Sequence, residues 1–157
     1  MFTFEIDPYE ALITLALADS GLTSLVSTRI DVWHHYGQDS GDWGQTAQSL
    51  VLRPFDGEFH TDDQADTAWC RPLIEARCYG DSPYDCGQVW QKLMSLCSRA
   101  YRQTVTVNSQ TALINYFLPQ PGGGMPRLGF DEDVRPNGGM PFYSVILAAE
   151  VSAESVT

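Results

Sequence analysis

Leu73-Ile74-Glu75-Ala76-Arg77-Cys78-Tyr79-Gly80-Asp81-Ser82-Pro83 decides how the chain folds. The first seven residues alternate, with Ile74, Ala76 and Cys78 on one face and Glu75 and Arg77 on the other, which is the period of a strand with one face toward a core. Gly80-Asp81-Ser82-Pro83 then turns the chain, and Ser82 with Asp85 three residues on opens a helix in the manner of a capping box. Cys86, Val89, Trp90, Leu93, Met94, Cys97 and Tyr101 follow at spacings of three and four, so this helix lays an apolar stripe on the sheet. Lys92, Arg99 and Arg102 fall late in it, opposing its negative end.

Toward the N-terminus, Asp7-Pro8-Tyr9-Glu10 predicts a first helix running to about Asp19, with Asp7 as cap, proline at the first helical position and Gly21 as the stop. Thr23-Ser24-Leu25-Val26 fits one further turn. The body of this helix, Ala11 to Ala18, is apolar on nearly all sides, so more than one face must be covered. Arg29-Ile30-Asp31-Val32-Trp33 and Leu50-Val51-Leu52-Arg53 read as short strands, separated by an irregular stretch over 37–49. From Asp56 to Asp66 there are five acids and no Lys or Arg, which predicts a solvated loop over 54–70, also suited to docking.

Toward the C-terminus, Thr104-Val105-Thr106-Val107 and Ala112 to Leu118 are strand-like, and Phe142 to Val151 closes the fold as a long strand. Between them, Pro119 to Pro141 holds five prolines and six glycines with no periodic run, and is expected as a long irregular loop of the kind that carries function or disorder. The parts add up to a single α+β domain over 1–157, two main helices packed on a mostly antiparallel sheet with a long Gly/Pro-rich loop.

The chain carries 9 Lys plus Arg against 20 Asp plus Glu, a net charge of −11, and is 43% hydrophobic. It therefore has the apolar material for a core that acidic disordered chains lack. Eight scattered arginines and the single Lys92 do not make a face that grips phosphates, which argues against sequence-independent nucleic-acid binding. Negative charge suits a surface that repels passing DNA or pairs with a basic protein. The start has no basic n-region or cleavage site, and the longest apolar run, Ala11 to Ala18, is far below the ~18 residues of a membrane span. A soluble chain with no membrane partner is the expectation.

No chemistry-bearing constellation stands out. Cys70, Cys78, Cys86 and Cys97 are spaced without a C-x-x-C element and read as reduced core residues. His34 and His35 beside Asp31 are the one place for metal or acid–base chemistry, yet neighbouring strand residues point to opposite faces and cannot readily share an ion. Gly-x-Ser-x-Gly is absent, and Gly122-Gly123-Gly124 lacks the Lys-Ser or Lys-Thr of a phosphate loop. Asp62-Asp63 and Asp131-Glu132-Asp133 do not fit a calcium loop. No catalytic residue, cofactor or metal is assigned, and the chain is not read as an enzyme. Trp90 belongs to the helix stripe, while Trp43 and Trp69 fit either a protein interface or burial under a loop.

Three segments together resemble a known family: the opening helix with Thr23-Ser-Leu-Val-Ser-Thr-Arg-Ile30; Ile74-Glu-Ala-Arg-Cys-Tyr-Gly-Asp-Ser-Pro83 through Leu96; and Pro126-Arg-Leu-Gly-Phe-Asp-Glu-Asp-Val134 leading into Phe142 to Val151. They look like the tail terminator, or tail-completion, proteins of long-tailed bacteriophages. The resemblance covers most of the chain through element order, length and short strings rather than an invariant signature; the acidic Asp56 to Asp66 stretch is less familiar. It implies a non-enzymatic virion protein, assembled in the bacterial host cytoplasm. Such a protein forms a ring, typically hexameric, on the head-proximal end of the tail tube, where it ends tube growth and offers the joining surface to the neck. Its partners would be further copies of itself, the tail tube protein and a neck or head-completion protein, with DNA passing through the lumen without specific binding.

A ring joins one patch to a different patch on the next subunit. The expected contact residues are Arg127, Asp131, Glu132, Asp133 and Arg135 in the long loop, meeting a sheet edge or the first helix, with Asp62, Asp63 and Asp66 facing the lumen or a neck protein. A neck adaptor or head-closure ring is the nearest alternative. A small metal-dependent hydrolase using His34 and His35 is an alternative of another class, and a monomeric acidic binding module a third.

Overall fold

The computed structural model describes residues 6–33, 35, 43–62, 67–121 and 125–153. It is an α+β fold of three helices on one face of a curled, mostly antiparallel seven-stranded sheet. The order of elements is α1 (Pro8–Leu17), α2 (Ser20–Val26), β1 (Ile30–Val32), β2 (Ser49–Asp62), β3 (Thr67–Tyr79), α3 (Pro83–Arg99), β4 (Tyr101–Val107), β5 (Gln110–Pro119), β6 (Arg127–Asp131) and β7 (Met140–Ala153). The strands lie in the order β1-β2-β3-β7-β5-β4, with β1 parallel to β2 and the other pairs antiparallel. β6 pairs with the first part of β7, on the edge that β5 takes further along.

The strand-turn-helix unit forms as its residues predict. Ser82 Oγ accepts the Asp85 N–H at 3.3 Å, and Cys86, Val89, Leu93 and Cys97 are buried along α3. α3 lies across β3, β7 and β5. β4 and β5 are joined through Asn108 and Ser109, both at positive φ (50° and 67°), the conformation that a two-residue hairpin turn requires.

Asp7 caps α1 by accepting the Tyr9 N–H at 2.8 Å. The helix ends at Leu17 rather than Asp19, because the Asp19 side chain instead accepts the Leu22 N–H at 2.8 Å and starts a second helix. Gly21 therefore lies inside α2 and is no stop, and the further turn expected over 23–26 is the end of this short helix, beside the two main ones, α1 and α3. The all-round apolarity of α1 is satisfied within the chain. The helix packs on β1 and β4, the two outer strands of the sheet order, as well as on α2, so the sheet curls around it. Ala11, Leu12, Ile13, Leu15 and Ala16 are all buried.

One expected loop is largely strand, and the other contains a short strand. The acidic stretch over 54–70 forms most of a long hairpin, with β2 continuing to Asp62 and β3 starting at Thr67. Cross-strand pairing overrides the solvated reading. A bulge between Pro54 and Asp56 leaves Phe55 as the extra residue and breaks the alternation that would have marked a strand. In the 119–141 stretch, β5 reaches Pro119, β6 occupies Arg127–Asp131 and β7 begins at Met140. β6 exists because Gly129 lets it lie against β7: a Cβ there would stand 2.5 Å from Phe142 Cζ. Of the 37–49 stretch, residues 37–42 lie outside the described residues, and β2 already begins at Ser49.

The core between sheet and helices is continuous from Leu12 and Leu22 through Leu50, Ile74 and Leu93 to Ile114, Phe117 and Leu147. A second cluster, Trp43, Val51, Tyr79, Val134, Met140 and Phe142, lies on the other face, where the segment after β6 folds back over the sheet. Cys70, Cys78, Cys86 and Cys97 are free and buried, as expected.

Candidate functional site

On the face away from the helices, β3 presents Glu75, Arg77 and Tyr79 to a charge network. Glu75 accepts from Arg77 Nε at 3.0 Å, Arg53 Nη1 at 3.4 Å and the Ser144 hydroxyl at 2.8 Å. Asp131 takes the Tyr79 hydroxyl at 2.8 Å and lies 3.6 Å from Arg77 Nη1. Arg77 also stacks over the Phe142 ring at 4.4 Å. A small concavity of about 220 Å³ opens here between Trp33, His35, Arg53, Tyr79, Asp131 and Asp133. Its acids and bases are matched to each other, so its chemistry is that of a structural tie. Burial pushes the Tyr79 phenol well above its ordinary value, with the Asp131 hydrogen bond adding to the rise and Arg77 opposing it. Burial likewise raises the thiols, Cys70 to about 11 and Cys86 and Cys97 to about 12, so they are protonated and unreactive at neutral pH.

The expected contact residues separate into two groups. Arg127 is exposed at the start of β6, and Glu132 and Asp133 are exposed just after it. Asp131 is turned inward to Tyr79 and Arg77, and Arg135 bonds Asp81 at 2.9 Å and the Gly139 carbonyl at 3.3 Å. Reversing Arg135 would therefore damage the fold as well as any contact, which leaves Arg127 as the clean probe. Asp62 ends β2, while Asp63 and Asp66 lie outside the described residues, as does His34. His35 is buried against the rings of Trp43 and Tyr79, with centroids at 5.0 and 4.6 Å. No group of three His, Cys, Asp or Glu able to hold a metal occurs among the described residues. Trp43 is buried, and Trp69 lies under the Arg71 guanidinium at 4.1 Å.

The surface that sequence reasoning missed is apolar. A groove of about 470 Å³ runs beside the bulged part of β2, lined by Pro8 and Tyr9 of α1, Trp33, Phe55, Phe59 and Pro72. Trp33, Phe55 and Phe59 are 61%, 65% and 59% exposed. Trp33 holds φ at 71°, a left-handed conformation costly for a bulky side chain. The charged residues lining the groove are Asp56 and Glu58, both acids. A second apolar surface lies on β6, where Leu128 and Phe130, two residues apart and so on one face, are about half exposed. Phe55-Asp56-Gly57-Glu58-Phe59 already carried this signal as aromatic residues at the ends of an acidic alternation.

No family model matches the sequence, and no curated protein matches it. In fold, the chain is similar to a solved chain of the virion of a native gene transfer agent particle, with a TM-score of 0.56 over 93% of this chain and 95% of that one, at 13% identity.

Proposed function

We propose that this chain is a non-enzymatic structural subunit of a phage-like particle, acting as one domain over 1–157. Within such a particle it forms the ring, of about six copies, that caps the head-proximal end of the tail tube and joins it to the neck. The observation that carries this reading is the likeness of fold along nearly the whole of both chains to a virion component. A subunit of this kind works by its surfaces, and two exposed apolar surfaces on different strands are what a head-to-tail ring needs. The net charge of −11 suits a lumen that DNA traverses without sticking.

The test is the mass of the purified protein over a concentration series, alone and with its cognate tail-tube protein. A closed ring, in solution or on tube ends, is the expected result. Binding to the portal-side assembly in place of tube ends would move the role to neck adaptor. A monomer indifferent to both would overturn the reading.

A further inference from the structure

Among the described residues the outer edges of β1 and β4, at the ends of the sheet order, lack a strand neighbour, and so do two edges that carry pairs of exposed apolar side chains, on β2 and β6. β1 covers β2 only over Leu50–Leu52, so the outer edge of β2 from Arg53 onward pairs with no described strand. β6 pairs with β7 on one side alone. The two edges lie on opposite sides of the β3–β7 pair. Open edges are templates for another strand unless charge, proline or a covering element blunts them. Pro54, the bulge and the acids Asp56 and Glu58 blunt part of the β2 edge, and Arg127 charges the head of β6, yet each edge also carries exposed apolar side chains, Phe55 and Phe59 on β2 and Leu128 and Phe130 on β6.

The faces also match. Phe59 stands opposite Cys70 and shares the groove with α1, which puts that groove on the helix side of the sheet. Leu128 stands opposite Tyr143, which packs on the same core as the helices, so Leu128 and Phe130 project to that side too. Charge completes the fit. Arg53, Arg71, Arg77, Arg99 and Arg135 are each within ion-pair distance of an acid of their own chain. Arg127, at the head of β6, has no such acid among the described residues, whereas the groove is lined by Asp56 and by Glu58, which Arg71 Nη1 approaches only to 3.9 Å.

We propose that β6 of one copy adds to the free edge of β2 in the next, with Leu128 and Phe130 filling the groove between Trp33, Phe55 and Phe59 and Arg127 facing Asp56 and Glu58. One edge meets a different edge, so the contact is head-to-tail and propagates around a ring. It rests on the ring reading above and supplies its interface.

Two double variants test it by sedimentation velocity: Leu128→Asp with Phe130→Asp, and Phe55→Asp with Phe59→Asp. All four side chains are exposed, so each variant should keep its circular dichroism spectrum. Wild type is expected to assemble, alone or on tube ends. Each double variant should be monomeric, and an equimolar mixture should give one-to-one heterodimers and nothing larger, because it contains one intact pair of surfaces. If wild type and both variants assemble alike, this contact is overturned while the ring reading stands. A groove variant that loses thermal stability yet assembles normally points to an occupant from its own chain and overturns it as well. If wild type stays monomeric at every concentration and on tube ends, both fall.

Discussion

Replacing Tyr79 by Phe removes one hydroxyl and leaves the ring, and the surroundings of that hydroxyl set the cost. It lies 2.8 Å from Asp131 Oδ2, on a residue 2% exposed whose ring packs against His35 and Phe142. A hydrogen bond to a carboxylate is worth about 1.5–3 kcal/mol net. Asp131 keeps Arg77 Nη1 at 3.6 Å and the Asp133 N–H at 3.1 Å, so its charge is not stranded and the loss should fall near the lower end, about 1.5–2 kcal/mol. In a domain of this size that lowers Tm by roughly 3–8 °C. The effect should be localised, because the Asp131 carbonyl also accepts the Arg135 N–H and anchors the segment that covers the back of the sheet. Hydrogen exchange at Asp133 and Arg135 should therefore speed up while the α3 amides hold. Urea denaturation gives the free energy, and Asp131→Asn in both backgrounds closes a double-mutant cycle. A loss under about 0.5 kcal/mol, or an additive cycle, would refute the idea that this hydroxyl ties the segment to β3.

Two further outcomes are expected. Gly129→Ala places a Cβ 2.5 Å from Phe142 Cζ and 2.9 Å from its Cε2, on a ring held between Arg77 and Tyr79, so urea denaturation should show a loss of about 1–3 kcal/mol; an unchanged midpoint would mean that β6 is not seated on Phe142. Alkaline pH should unfold the protein through its buried thiols. Cys86 and Cys97 are raised to about 12 and Cys78 is raised still more clearly by its complete burial, so above pH 9 the unfolded chain releases these protons first. The native state then binds more protons, and stability complete below about pH 8.5 falls by about 1.4 kcal/mol per pH unit for each thiol as pH climbs toward 12. Equal urea midpoints at pH 8 and pH 10.5 would contradict this, and Cys78→Ala should make the decline shallower.

What the residues disclosed and what they hid follow from how far apart the partners lie. The unit from Leu73 to Arg99 was legible because its signals are local, an alternation, a Ser82 cap and a stripe at spacings of three and four. The chain continuing β2 past Arg53 was not. Its five acids dominate the composition, and the bulge at Phe55 shifts the alternation by one residue, so the strand declares itself only when paired residue by residue with β3. β6 was hidden for a related reason, since five residues among prolines carry no period and Gly129 gains its meaning from Phe142, a residue on another strand. Of the expected contact residues, Arg127, Glu132 and Asp133 are exposed, as their charge suggests. Trp33, Leu128 and Phe130 gave no such sign, because exposure of an apolar residue is a property of the fold, and only Phe55, at the head of the acidic alternation, carried one in the sequence.

The first helix bears on which surfaces the proposed ring would use. An all-round apolar helix admits two explanations, a neighbouring subunit or a sheet that wraps it. The sheet wraps it: α1 touches both outer strands of the sheet order, and within the helix only Leu17, at 40% exposure, remains as an exposed large apolar side chain. Association driven by α1 would require opening the sheet and losing the burial of Leu12 and Leu15, each worth about 1.5–3 kcal/mol, before any contact with a neighbour formed. Exposed β2 and β6 need no such opening. Their apolar side chains already face solvent and their edges are already free of strand partners among the described residues, so docking there adds burial without first removing any. A ring of the kind proposed would therefore keep the most apolar element inside each subunit and place its contacts on edges that have no strand partner among the described residues.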